Sequence, residues 1–390
     1  MSPINPRRSG LLAVPLLALV FAGCVTDEDP TTGLTVADPL DPDLLRSLIV
    51  LDHDHSDRAA HAGAHGLGLL GHASGYTGET PNGASFNEIA AHGDLVFLSR
   101  GAPAGGFAVI DIADPAHPKV IGEWAGEPGF DIEVTHDGKY VLFATQRNNL
   151  PLGFPGSMTE APREHLPRGL FVVDVSDPTA PAFTSYWPHP YNGVHTMEYR
   201  LDDKTGTEFV VIQTYDLGSS LVPRVVPGAP AAAPPVGIMP ASQRVTVAEL
   251  DRSAIEGPAI RPLGVYQVHE PVEGSDWLQD PLWFPHDSHV ERHPVTDRLL
   301  LYVAYWDAGM RIVDIEDPSK PTEIAKVTEF PPSALVALHD VKTAPQLIDG
   351  RHITVTGPEI VSASETGQFT VFDTTDPTNP VRLGHWTLPG

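Results

Sequence analysis

Apolar residues in this chain come in short runs, and turn residues close almost every one of them. Tyr140-Val-Leu-Phe-Ala144 follows His136-Asp-Gly-Lys139, and Phe171-Val-Val-Asp174 stops at Ser176-Asp-Pro178. Runs of this length, bounded by Gly, Pro and Asp, predict β-strands. Helical periodicity is absent over most of the chain, because Pro or Gly interrupts each candidate helix. One segment recurs: Phe107-Ala-Val-Ile-Asp-Ile-Ala-Asp-Pro-Ala-His-Pro118, then comparable strings from Leu170, Met310 and Phe369. They share the frame Asp-x-x-Asp-Pro-x-x-Pro, headed by Asp111, Asp174, Asp314 and Asp373, at spacings of 63, 140 and 59 residues. The middle gap is about twice the others, so a degenerate copy is expected inside it. Arg244–Asp251 followed by Pro262–Val268 is the candidate, which makes five units.

Each unit has one internal order. A strand with a polar start (Asp131-Ile-Glu-Val-Thr) is followed by a turn, a largely apolar strand, the Val-Ile-Asp type of strand, the Asp-Pro turn and a last strand such as Lys119–Trp124. Four short strands per repeat predict an all-β fold, a β-propeller of four-stranded blades with five units visible. The frame itself reads as a turn. Pro restricts its own φ and the residue before it, and Asp accepts from backbone N–H groups just ahead. Its alternative reading is a carboxylate site for cations. Closure is open between three forms: five blades alone, an outer strand added to another blade by residues such as Gly66–His72, or further blades beyond Gly390. An unclosed ring would present unpaired edges.

The strings Phe171–Pro178 and Arg311–Pro318 resemble LVIVD repeats, a family of secreted and surface proteins of bacteria and archaea that is similar to other β-propellers. The resemblance covers about residues 85–390; it implies the fold and carries no common activity. Leu299–Pro318 also looks like one blade of the selenium-binding protein/methanethiol oxidase family. That family is a propeller with histidines around a bound metal. Its cysteine-dependent chemistry does not carry over, since this chain has one cysteine, Cys24.

Composition narrows the function. Asp+Glu number 50 against 24 Lys+Arg, a formal net charge of −26. That excludes bulk attraction to nucleic acid, and it disfavours a polybasic membrane-surface protein. The first residues read as an export signal over 1–23: Arg7 and Arg8, then the apolar run Leu11–Ala22, too short to span a bilayer. It ends Ala22-Gly23-Cys24, which resembles the lipobox of bacterial lipoproteins and implies lipidation of Cys24. Residues 24–65 read as a polar tether with the His/Asp-rich stretch Asp52–Asp57, and residues 66–390 as the propeller. The expected place is extracytoplasmic, with Cys24 as the only membrane attachment.

Two insertions, Gln146–Arg168 and Leu217–Gln243, are rich in Pro and Gly and read as long loops over one face. No nucleophile elbow, Walker loop, Rossmann glycine pattern or zinc-protease helix motif is present. The candidate chemistry lies in the 18 histidines. His195, His286, His289 and His339 open inner strands, where equivalent positions converge on one channel. Three imidazoles could bind Zn or Cu, with Asp287 and Asp340 as ligands or ring-orienting partners. His286 and His289 cannot both face the channel in a regular strand. Pro285 delays the strand and leaves His286 in the preceding loop, and His286-Asp287 matches His339-Asp340. Two functions follow. One is a surface module binding a protein, glycan or small molecule. The other is a metal-dependent propeller enzyme, an oxidase by the second resemblance.

Overall fold

A computed structural model describes residues 70–101, 104–146, 168–188, 193–214, 244–254, 258–268, 285–306, 308–328, 338–358 and 368–387. The expected signal, Cys24, the tether and the stretch at 52–57 lie outside the described residues, as do most of the two long insertions. Among the described residues, twenty strands form five antiparallel sheets of four, each sheet consecutive in sequence. Blade 1 is β1 (Phe86–His92), β2 (Leu95–Arg100), β3 (Phe107–Asp111) and β4 (Lys119–Trp124). Blade 2 is β5 (Gly129–Val134), β6 (Tyr140–Thr145), β7 (Gly169–Asp174) and β8 (Ala182–Pro188). Blade 3 is β9 (Thr196–Asp202), β10 (Thr207–Thr214), β11 (Arg244–Asp251) and β12 (Ala259–Tyr266). Blade 4 is β13 (Asp287–Arg292), β14 (Leu299–Ala304), β15 (Met310–Asp314) and β16 (Thr322–Val327). Blade 5 is β17 (Leu338–Thr343), β18 (Ile353–Pro358), β19 (Gln368–Asp373) and β20 (Val381–Thr387). The degenerate copy is therefore a true blade: β11 and β12 pair in the same register as the other third and fourth strands.

The inner strands β1, β5, β9, β13 and β17 stand side by side in that order. The blades are joined by apolar cores, because side chains alternate and each sheet needs both faces covered. Phe97, Phe107 and Val109 of blade 1 pack with Ile132, Phe143 and Phe171 of blade 2, and Trp124 stacks across Phe143 and Phe171. Leu142 and Val172 meet Met197 and Ile212; Val211 and Val247 meet Leu301 and Val313; Tyr302 and Ile312 meet Val341 and Phe372. Each such fully buried large side chain contributes roughly 1.5–3 kcal/mol over its exposed state. Among the described residues no core of this kind joins blade 5 to blade 1, so the ring is not closed by the five sheets.

The Asp-Pro frame is a turn, as its residues predict. The first Asp of each frame accepts from the N–H two residues on: Asp111 from Ala113, Asp174 from Ser176, Asp314 from Glu316, Asp373 from Thr375. The second Asp does the same, as Asp177 does for Thr179. The degenerate blade keeps only the first half, Asp251 with Ser253. The turns of blades 2, 3 and 4 also interlock with the outer strand of the blade before. A Cβ on Gly122 of β4 would strike the Pro178 carbonyl of the next blade's turn, and one on Gly264 of β12 would strike Pro318. In blade 2 the equivalent residue is Ser185, whose hydroxyl donates to the Pro258 carbonyl.

Candidate functional site at the mouth of the hub

The chain order gives the molecule two unlike faces. The first-to-second and third-to-fourth strand turns are short and lie on one face. The second-to-third connections and the links between blades lie on the other, where the inner strands begin. The described residues that flank the two sequence insertions, Gln146 and Arg168, and Thr214 and Arg244, lie on that second face. His195, His286 and His339 lie there too.

Their placement follows from local backbone. Pro285 keeps His286 out of β13, and the His286 N–H donates to the Ala304 carbonyl of β14. The His195 N–H donates to Gln213 in the same way. Gly193 precedes it with φ +101°, packed where a Cβ would collide with the Thr145 carbonyl, so glycine is required for this approach. The three rings converge. His195 Nε2 lies 2.9 Å from His286 Nε2, and the His286 and His339 ring centroids are 3.8 Å apart. Gln146 Oε1 lies 2.9 Å from His195 Nδ1; with Nδ1 the donor, His195 Nε2 presents a lone pair to His286. Burial pulls His195 down to about 3, with His339 adding to the effect, and lowers His286 and His339 as well. All three imidazoles are neutral at pH 7, the form that ligates metal.

Below the histidines lies a ring of carboxylates. Glu88, Asp131, Asp287 and Asp340 occupy equivalent positions, and each accepts from the N–H of the residue that follows. Thr196 takes this place in blade 3, and its hydroxyl donates to the His286 carbonyl. Burial, then the charge of Glu88, pushes Asp131 up to about 7; a second oxygen of Asp131 accepts from the Met197 N–H. Burial raises Asp287 well above the usual carboxylate range. Two residues further down the strands come Glu133, Glu198, His289 and Lys342. Burial, then Glu198 and Asp131, raises Glu133. Burial also opposes ionisation of Glu198, but Lys342 at 3.4 Å and His289 at 3.0 Å outweigh it and hold it down at about 2.

The structure thus brings His195, His286 and His339 together and separates His289 from them. His289 pairs with Glu198 one layer down. Asp287 and Asp340 sit in the carboxylate ring, and Asp340 lies 3.9 Å from the Lys342 ammonium. Among the described residues no three His, Cys, Asp or Glu side chains already surround a metal-sized point. The 2.9 Å between the two Nε2 atoms is a hydrogen-bond distance; two ligands of a tetrahedral zinc stand about 3.4 Å apart. A small outward swing of the rings separates one state from the other. Glu133, Glu198 and Lys342 escaped the sequence reading. Their signal was the period of two along strands whose first polar residue was already assigned to the channel.

The architecture is that of a β-propeller. The family described as LVIVD repeat matches residues 88–125, 167–186 and 300–329, within blades 1, 2 and 4. A protein of unknown function from Desulfotomaculum acetoxidans DSM 771 is similar at 14% identity, over 78% of this chain and 71% of that one, with a TM-score of 0.45. A periplasmic gluconolactonase of Pseudomonas aeruginosa is similar at 12% identity, over 77% and 84%, with a TM-score of 0.39. A thermostable family-43 glycoside hydrolase is similar at 11% identity, over 81% and 97%, with a TM-score of 0.42. No curated protein matches the sequence.

Proposed function

We propose that this protein is a lipid-anchored extracytoplasmic binding module that takes its ligand on the face where the inner strands begin. The observation that carries the reading is the coincidence, on that one face, of the long connections and the three-histidine mouth. A rigid scaffold with its long loops on one side offers a single variable surface for a protein, glycan or small molecule. The ring of carboxylates beneath favours a ligand that is neutral or cationic where it enters the hub. A photo-activated cross-linking residue at Phe130, beside His195 at 5.6 Å between rings, tests the choice of face. Adducts are expected on cells from position 130 and not from Lys204 at the opposite end; equal yield from both ends contradicts the reading. Anchoring is tested separately: wild type incorporates radiolabelled palmitate and Cys24→Ala does not.

A second reading is favoured by the facing Nε2 atoms of His195 and His286. In it the mouth binds Cu or Zn through His195, His286 and His339, with Asp287 and Asp340 orienting the rings. The likeness of Leu299–Pro318 to the selenium-binding protein/methanethiol oxidase family would make such a site an oxidase centre. Calorimetric titration of the purified chain with Cu2+ or Zn2+ tests it. One equivalent is expected to bind to wild type and none to the triple His→Ala variant; no binding to wild type removes the reading.

A further inference from the structure

We propose that the end of the hub opposite the histidine mouth holds a second binding site, and that its ligand is a dipeptide with both termini free. The inner strands all run from the mouth face to the other face, so their last residues surround the far opening. A cavity of about 550 Å³ lies there, walled by the ends of β1, β5 and β9. That volume falls within the roughly 300–1,000 Å³ of small-molecule sites.

Most charged groups around this cavity already have partners. Arg252 pairs with Asp137 and Glu208, and Glu208 also accepts from the Tyr199 hydroxyl. His136 Nδ1 stands 2.8 Å from that hydroxyl and 3.0 Å from Glu208. Arg200 and Glu133 are the exceptions. Both line the cavity, and among the described residues neither the Arg200 guanidinium nor the Glu133 carboxyl has a hydrogen-bond or ion-pair partner. An arginine left without a carboxylate needs an explanation in a chain with 50 Asp+Glu.

The two groups stand at different depths and favour opposite charges. Arg200 is exposed at the rim, and Glu133 is half-buried one layer further in. Two residues of strand separate those layers, ~7 Å along the hub. Around Glu133 lie Glu198, Asp131 and Asp287, with one lysine, Lys342. Burial, then the charges of Glu198 and Asp131, raises the Glu133 carboxyl well above the usual range, so an arriving cation is favoured at this depth. At the rim the Arg200 fork matches a carboxylate. Asp203 in the same wall is exposed, so water screens its charge. A ligand with its ammonium inward and its carboxylate outward meets both groups. An α-amino acid holds its two charges too close together to reach across one layer, whereas a dipeptide spans it. Ile89, 50% exposed, lies in the wall with Val134 and Leu201 and offers the peptide's side chains an apolar surface.

Calorimetric titration of the purified chain with alanyl-alanine and with alanyl-leucine tests the site. One equivalent of peptide is expected to bind. Acetylating the peptide's amine or amidating its carboxylate is expected to weaken binding by roughly tenfold or more, and these blocked peptides make the test on unaltered protein. Glu133→Gln and Arg200→Ala are each expected to weaken it by a similar factor. Gln keeps the shape of a protonated Glu133 carboxyl, and Arg200 is exposed, so both variants should melt as wild type does. Lys204→Ala, which removes a cation of the same face outside the cavity wall, should change affinity by less than about threefold. No heat from either peptide overturns the proposal. So does binding that survives a blocked terminus or either cavity substitution, and so does binding that is lost in His195→Ala, which would put the peptide at the mouth instead.

Discussion

At the scale of single residues, the hub is a stack of groups whose ionisation is set by burial and by one another. Asp131 is the clearest case. Its carboxyl, pushed up to about 7, binds a proton in the folded chain over a range where the unfolded chain, near 3.8, has lost it. Folded protein then holds more protons than unfolded protein between those values, so stability falls as pH rises through about 7. The buried histidines act in the opposite direction, through and below about 6.5, where the unfolded imidazole takes up its proton. The Asp131 contribution is therefore read as a difference: in chemical denaturation between pH 5 and 8, the stability of wild type relative to Asp131→Asn should decline as pH rises. The slope is the readout, since the Asn side chain also loses one of the two backbone N–H contacts at Ile132 and Met197. The three mouth histidines were legible in the sequence because each stands at or just before the start of an inner strand, at a matched position. Glu198 and Lys342 were not, since an isolated Glu or Lys on a strand is ordinary surface chemistry until the neighbouring blades are in place.

At the scale of elements, the device that repeats is the seating of an outer strand on the next blade's Asp-Pro turn. Gly122 has backbone atoms of Pro178 where a side chain would go, and backbone cannot swing aside. Gly122→Val should cost about 1–3 kcal/mol in denaturant unfolding, as overpacking of a close contact does. Gly78 has no atom within 4 Å, so Gly78→Val should fall within about 0.5 kcal/mol of wild type. A loss at position 78 equal to that at 122 would show that the turn contact is not the cause. The turns themselves were readable from Asp-x-x-Asp-Pro-x-x-Pro, because Asp and Pro act locally. Their second task, gripping a glycine of another blade, was not readable, because it joins residues 56 apart at Gly122 and Pro178.

At the scale of the whole molecule, charge and closure matter most. A net charge of −26 on a compact body repels itself, and salt screens that repulsion over about 10 Å at 0.1 M. Melting temperature should rise from 10 mM to 1 M NaCl, in KCl as well as NaCl; a flat or falling profile would show that the surface carboxylates are offset locally by pairs such as Arg252 with Asp137 and Glu208. The five units were legible from the repeat, even the degenerate one, since strand order survives where the motif decays. Closure was not, because it depends on how far each blade rotates from the last. The central claim is that three of the five inner strands, β9, β13 and β17, deliver His195, His286 and His339 to one point. Nitrogen-15 NMR of the imidazole rings from pH 4 to 8 tests it most directly. The account predicts that all three rings titrate below free imidazole and report a shared change when one is replaced. Independent titration of the three near pH 6.5, as free imidazole behaves, would contradict it.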